Sequence, residues 1–172
     1  MFRKSLNWML VFSVVSIAGC GYTLGTQTLH DVRTVHVPVF TSDSYRRNLD
    51  YLLTEAVQRE IRTRTPYRLE DADTADTVLK GRIMEIRKSV LSENRYDDAR
   101  ELQLMLGAEV TWVDRRSGQI LHQQTFPVGP QLTQQASNVS FAPEVGQSLA
   151  TAQQEAAQRL ASRIVDLMEA PW

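Results

Sequence analysis

The segment Leu102-Gln-Leu-Met-Leu-Gly-Ala-Glu-Val-Thr-Trp112 has an apolar residue at every second position without a break. These alternating apolar positions are Leu102, Leu104, Leu106, Ala108, Val110 and Trp112. Successive side chains of a β-strand point to opposite faces, so the pattern predicts a strand with one face buried in a core. The neighbouring segments must therefore supply further strands and the elements that cover them.

Strands are predicted on both sides of this stretch along the chain. Asp114-Arg-Arg-Ser-Gly118 is a turn, with an aspartate for the side-chain cap and a glycine for positive φ, and a strand over Ile120–Val128 follows it. A strand from Val78 to about Leu91 comes before it, across a polar hairpin loop over Ser92–Arg100. The apolar residues of that earlier strand change faces near Ile83, which predicts a β-bulge or a strand that outgrows the core.

A first strand and two helices complete the predicted elements. Asp31–Phe40 carries alternating valines, and Pro38, which has no N–H to donate, makes this an edge strand or marks its end. Apolar residues at helical spacing predict a helix over Tyr45–Arg64, and Pro66 closes it. A second amphipathic helix of about six turns begins near Pro143.

An acidic connector over Leu69–Thr77 and a Gln/Ser/Asn-rich linker from Gly129 to about Ala142 join these elements. The predicted order is β-α-β-β-β-α, and the fold class is α+β: a two-layer sandwich with two helices packed on a four-stranded mixed sheet. The first two strands can be parallel because a helix connects them, and the last three form an antiparallel meander.

The first twenty residues have the pattern of a lipoprotein signal. Arg3 and Lys4 precede a short apolar run over Trp8–Ile17, whose length of about 15 Å as a helix is half of a roughly 30 Å hydrocarbon core. Ile17-Ala-Gly-Cys20 resembles the bacterial lipobox, in which the cysteine receives a diacylglyceryl group and becomes the new N-terminus. A buried cysteine behind an ordinary signal peptide is the alternative.

These observations predict three segments: a lipoprotein signal peptide over residues 1–19, a lipidated tether over 20–30 and a single α+β domain over 31–170. Cleavage leaves 153 residues with 17 basic against 20 acidic side chains, a net charge of −3. Two or three acyl chains on Cys20, as diacylglyceryl and N-acyl groups, would hold the protein on a membrane. Gly21 stands where an aspartate would mark inner-membrane retention, so we expect the periplasmic side of the outer membrane.

Composition excludes several classes of function. A formal net charge of −1 argues against a generally basic nucleic-acid binder. The single cysteine cannot form an internal disulfide, a cysteine-based zinc site or a CxxC pair. His30, His36 and His122 lie in separate segments, and the acidic connector lacks the calcium-loop pattern. With no nucleophile or phosphate-loop motif either, we expect no catalytic residues, no metal and no cofactor beyond the lipid.

Basic residues are the remaining candidates for binding. Arginine and lysine side chains can hold phosphate groups, so we interpret these residues as candidate contacts to an anionic lipid. They are Arg87, Lys88, Arg95, Arg100, Arg115 and Arg116, with Arg82 nearby. The alternative interpretation is a solvated rim balanced by Glu85, Glu93, Asp97 and Asp98.

An ordered set of motifs carries a family resemblance. The motifs are Cys20-Gly-Tyr22, Val35-His-Val-Pro-Val-Phe40, Glu60-Ile61 at a helix end, Thr77-Val-Leu-Lys-Gly81 and Trp112-Val-Asp-Arg-Arg-Ser-Gly118. Together they resemble the LptE family, the lipopolysaccharide-assembly lipoproteins of the outer membrane. The resemblance covers most of the mature chain and also implies a two-layer sandwich.

This resemblance implies a non-enzymatic lipoprotein that plugs the lumen of a β-barrel translocon, LptD, assists its assembly and contacts lipopolysaccharide. The polar face of the Leu102–Trp112 strand would suit a plug. The alternative is a lipoprotein subunit of another envelope lipid-trafficking or secretion system on the same scaffold. An envelope hydrolase would be a third class, but no motif supports it.

Overall fold

The computed structural model describes residues 32–43, 48–93, 95, 99–128 and 138–169. The predicted signal peptide, the lipidation site Cys20 and the tether lie outside the described residues. In chain order the elements are β1 Thr34–His36, β2 Thr41–Ser42, α1 Leu49–Arg64, β3 Arg68–Leu69, β4 Thr77–Glu93, β5 Ala99–Asp114, β6 Ile120–Phe126, β7 Val139–Phe141, a single 3₁₀ turn over Pro143–Val145 and α2 Leu149–Glu169.

One mixed sheet contains these strands, in the order β3-β1-β4-β5-β6. β1 is parallel to both β3 and β4. Its parallel pairing with β4, and the antiparallel pairing of β4, β5 and β6, agree with the prediction from the sequence. β2 pairs with β4 beyond β1, and β7 pairs with β5 beyond β6. Both long central strands, β4 and β5, are thus flanked by short strands.

The predicted α+β fold, with two helices packed on a mixed sheet, is confirmed. The predicted number of strands, four, and the predicted order of elements are wrong, because the sheet has seven strands. Asp31–Phe40 is not one strand, because Pro38 interrupts the backbone ladder and separates β1 from β2. The connector contains β3, and the linker to Ala142 contains β7. Both are too short to show periodicity in the sequence.

The core lies between the helices and the sheet face formed by the alternating residues of β5. Leu104, Leu106, Ala108 and Trp112 are almost fully buried there. The two helices contribute buried side chains at helical spacing. These are Leu49, Leu53, Val57 and Ile61 from α1 and Ala152, Ala156, Leu160, Ile164 and Val165 from α2. Alanines on α2 leave room for α1 to pack against it.

The extended segment between β1 and β2 is fixed by α1 and by a glycine of β4. The buried backbone N–H of Phe40 donates to Thr54 Oγ1 at 2.9 Å, and Gln58 Nε2 donates to the Val37 carbonyl at 3.1 Å. A Cβ on Gly81 would lie only 2.5 Å from the Phe40 ring. Glycine therefore lets this ring lie directly on the sheet.

Candidate functional site

The β4–β5 hairpin carries four of the six predicted lipid contacts. A bulge at Met84 interrupts its ladder: Ile83 pairs with Ala108, but Glu85 pairs with Gly107. This bulge is the cause of the change of faces that the sequence shows near Ile83. Further register shifts occur between Val90 and Glu93. β4 continues past β2, and beyond the bulge its even-numbered residues, not its odd-numbered ones, face the helices.

Arg87 and Lys88 lie on opposite faces of this hairpin. Arg87 is opposite Met105, on the face away from the helices, and its Nη2 lies 2.7 Å from Glu85 Oε1. Lys88 is opposite Leu104, on the face toward the helices, yet it is exposed because neither helix covers this part of β4. Among the described residues, Lys88 has no ion-pair partner.

Arg95 and Arg100 lie toward the tip of the same hairpin. Arg95 is exposed in the turn, and Arg100 is exposed, with its Nε 3.7 Å from Glu144 Oε2. The structure therefore brings Arg87, Lys88, Arg95 and Arg100 to one end of the sheet. Since both faces and the tip carry positive charge, this end could contact several phosphate groups of one large amphiphile.

A groove of about 450 Å³ lies beside Arg100. Phe141 of β7 and Val145 of the 3₁₀ turn contribute its apolar wall, and Glu101 and Glu144 contribute carboxylates. Sequence reasoning missed this groove because it assigned the segment that contains β7 to a linker. The only sequence signal for this strand was the pair of apolar residues Val139 and Phe141, with one residue between them.

Arg115 and Arg116 lie at the other end of β5, about 50 Å away at 3.4 Å per residue. Their turn forms as the sequence predicts, with the Asp114 carboxylate accepting from Arg116 N and with Gly118 at φ 71°. Arg115 Nη1 donates to the Ala75 carbonyl at 3.0 Å, and Arg116 Nη2 donates to Asp76 Oδ1 at 2.6 Å. Both arginines therefore already have partners from the segment before β4.

Asp76 is the centre of these contacts. Its Oδ2 accepts from the backbone N–H groups of Arg33 and Thr34, at 3.1 and 3.2 Å, and from Thr34 Oγ1 at 2.9 Å. The Arg33 N–H, the Thr34 hydroxyl and the charge of Arg116 all lower the pKa of Asp76 from its ordinary 3.8. Asp76, the last acidic residue of the predicted connector, is thus a structural carboxylate.

The described part of the chain contains no group of three or more His, Cys, Asp or Glu residues placed to hold a metal ion. Within the same residues, no helix is long and apolar enough to cross a membrane.

Comparison with solved structures supports the fold. The chain is similar to a PelC variant from Paraburkholderia phytofirmans, solved as a dodecamer, with 13% identity, a TM-score of 0.54 and coverage of 85% of this chain and 96% of that one. It is also similar to the hypothetical protein CT253 from Chlamydia trachomatis, with 13% identity, a TM-score of 0.55 and coverage of 80% and 96%. No curated protein matched the sequence.

The model of one protein family does match, and it spans residues 32–169, from just before β1 to the last residue of α2. Its description is lipopolysaccharide assembly. The chain belongs to the LptE family of lipopolysaccharide-assembly proteins.

Proposed function

We propose that this protein is a non-enzymatic lipoprotein, anchored through Cys20 to the periplasmic side of the outer membrane. There it plugs a β-barrel lipopolysaccharide translocon of the LptD type, assists assembly of that barrel and contacts lipopolysaccharide. The family match over residues 32–169 is the observation that carries this proposal.

The sheet face that lacks helices supports the role of a plug. Between β4 and β6 this face presents hydrophilic side chains, which a water-filled barrel lumen would accept. They are Lys80, Arg82, Glu109, Thr111 and Gln123. Several already form partnerships, since Arg82 pairs with Asp43 at 2.6 Å and Gln123 Nε2 donates to Glu109 at 2.9 Å. A face of this kind can contact a polar wall without leaving buried charges unpaired.

The partner can be tested by isolating the tagged full chain from outer membranes in mild detergent. We expect one large β-barrel protein to be recovered in equimolar amount. A lipoprotein with the same signal peptide and tether but an unrelated domain is the control, and it should recover no barrel. Recovery of no barrel with the tagged chain would contradict the proposal, and a homo-oligomeric ring would favour the secretion or lipid-trafficking alternative.

Lipopolysaccharide contact is assigned to the hairpin end of the molecule. Removing charge there with Lys88→Ala and Arg95→Ala together should weaken binding of purified lipopolysaccharide about tenfold, since charge-assisted hydrogen bonds to phosphate are lost. Arg116→Ala removes an arginine at the opposite end and is the matched control. Equal losses in the two variants would contradict placement of the site on the hairpin.

A further inference from the structure

Within the described residues, the distal half of β4 is paired on one edge only. β2 occupies the other edge at Arg82 and Ile83, and its last bond runs from Asp43 N to the Ile83 carbonyl at 3.1 Å. From Met84 to Glu93, no strand in the described ranges pairs with that edge, while β5 continues along the opposite one. A strand edge of this length exposes backbone N–H and C=O groups that are positioned to pair with another β-strand.

The direction of these backbone groups follows from the ladder. The carbonyl of Ile83 points toward β2, so Ile83 and its partner Ala108 do not hydrogen-bond to each other. The backbone groups of successive residues alternate in direction, so the N–H and C=O of Gly107, the neighbour of Ala108 in β5, point toward β4. Glu85, opposite Gly107 beyond the bulge, bonds to β5. By alternation, Ile86, Lys88 and Val90 direct their backbone groups to the free edge.

The side chains of the same three residues share the helix-side face. Ile86, Lys88 and Val90 pair with Leu106, Leu104 and Leu102 of β5. Ile86 is half-buried and Val90 is 46% exposed, so this edge offers apolar surface on either side of one exposed lysine. Arg87, on the other face, is already paired with Glu85, which leaves Lys88 as the unpaired charge of the edge within the described chain.

We propose that Glu85–Val90 is an acceptor for an extended β-strand of a protein partner. The strand would carry the pattern apolar–x–acidic–x–apolar on one face, with its carboxylate opposite Lys88 and its apolar residues opposite Ile86 and Val90. Backbone hydrogen bonds supply affinity in this mode of recognition, and cross-strand pairs supply specificity. The bulges at Met84 and Leu91 limit the site to a short strand. This interaction surface goes beyond the proposed function and does not depend on it.

The test uses the purified full chain in detergent and a fluorescent peptide, Ser-Thr-Val-Thr-Glu-Thr-Val-Thr-Ser. Its pattern is the same in both chain directions, so parallel and antiparallel addition are both sampled. We expect saturable binding by fluorescence anisotropy, with slowed amide hydrogen exchange at Ile86, Lys88 and Val90. Val90→Pro removes one outward N–H and should weaken binding about tenfold relative to Val90→Ala, which keeps it.

A charge exchange provides the second arm. The Lys88→Glu variant should bind the glutamate peptide about tenfold more weakly than the unaltered chain does. It should bind a matching peptide, with lysine in place of the glutamate, as tightly as the unaltered chain binds the glutamate peptide. This arm decides the question if Val90→Pro fails to fold. Absence of binding to the unaltered chain, or equal peptide affinity in all variants, would overturn the proposal. Recovery of a barrel from membranes, measured separately, reports on the proposed function alone.

Discussion

Thr54 is a polar side chain that the core requires. Its hydroxyl donates to the Asp50 carbonyl of its own helix at 2.6 Å and accepts the buried N–H of Phe40 at 2.9 Å. Pro38 prevents this segment from joining the sheet ladder, and the helix satisfies the backbone instead. The extended segment between β1 and β2, which packs against α1 at this point, therefore explains why a threonine stands in the middle of the helix.

Replacing Thr54 with valine keeps the shape but removes the acceptor. We expect Thr54→Val to lower the free energy of unfolding by about 1–3 kcal/mol, because the Phe40 N–H stays buried without a partner. Urea denaturation followed by circular dichroism measures this. Thr63→Val is the matched control, since the Thr63 hydroxyl is exposed and bonds only to carbonyls of its own helix. Equal losses in both variants would contradict the explanation.

Asp76 makes stability depend on pH in the acid range. Its folded-state pKa is lowered below the ordinary 3.8, so its contribution is complete above that value and is lost as the pH falls through the folded pKa. Urea unfolding at pH values from about 2 to about 6 should therefore show a steeper loss of stability in the natural chain than in Asp76→Asn. Parallel curves for the two proteins would show that the corner around Arg33, Thr34 and Arg116 is not coupled to folding.

At the scale of elements, Arg64 joins the ends of the two helices. Its guanidinium donates to Asp166 at 2.6 Å, to Glu169 at 2.8 Å and to Ser162 Oγ at 2.8 Å. The bonds to Asp166 and Glu169, led by that to Asp166, raise the pKa of Arg64. A single residue in the last turn of α1 thus fixes the position of the C-terminal part of α2.

Arg64→Met should cost about 1 kcal/mol of unfolding free energy, because one partly exposed network is lost while the aliphatic stem is kept. Arg59→Met is the matched control: its partner Glu55 lies on the same helix and both side chains are well exposed, so we expect about 0.3 kcal/mol. Thermal and chemical denaturation measure both. A cost for Arg59→Met as large as that for Arg64→Met would contradict a bridging role.

The elements differ in how well the sequence predicts them. β5 and α2 were predicted because burial of one face imposes a period over many residues, and the face change near Ile83 correctly indicated a bulge. β3 and β7 have two and three residues and were missed, since their existence depends on a partner strand far along the chain. The residues of such a short segment do not by themselves indicate that it pairs as a strand.

The basic residues show the same limit at the candidate site. In the sequence, Arg115 and Arg116 look as available as Arg95, because all three lie in polar turns. Only the fold places Asp76 and the Ala75 carbonyl against the first two, about 40 residues away. Long-range partners therefore distinguish Arg115 and Arg116 from Arg95.

At the scale of the whole molecule, we predict that membrane anchoring and folding are separable. The family match begins at residue 32, twelve positions after Cys20, the proposed lipidation site. We expect Cys20→Ser to release the protein from the membrane fraction into the aqueous fraction while its circular dichroism and unfolding free energy stay unchanged. Membrane fractionation and urea denaturation measure these two properties. Retention of Cys20→Ser in the membrane without a partner would contradict lipid anchoring through this residue.

The placement of β1 and α2 also sets the order of events when the chain crosses a membrane N-terminus first. β1 lies between β3 and β4, and the bonds of Thr34 to Asp76 span 42 positions, while Arg64 contacts Asp166 across 102. Contacts of such high sequence separation form late and slowly. Because α2 covers β5 and α1, the core cannot close until almost the last residue has emerged. On the export route that the proposed lipoprotein signal implies, we expect this topology to keep the core open until α2 has emerged.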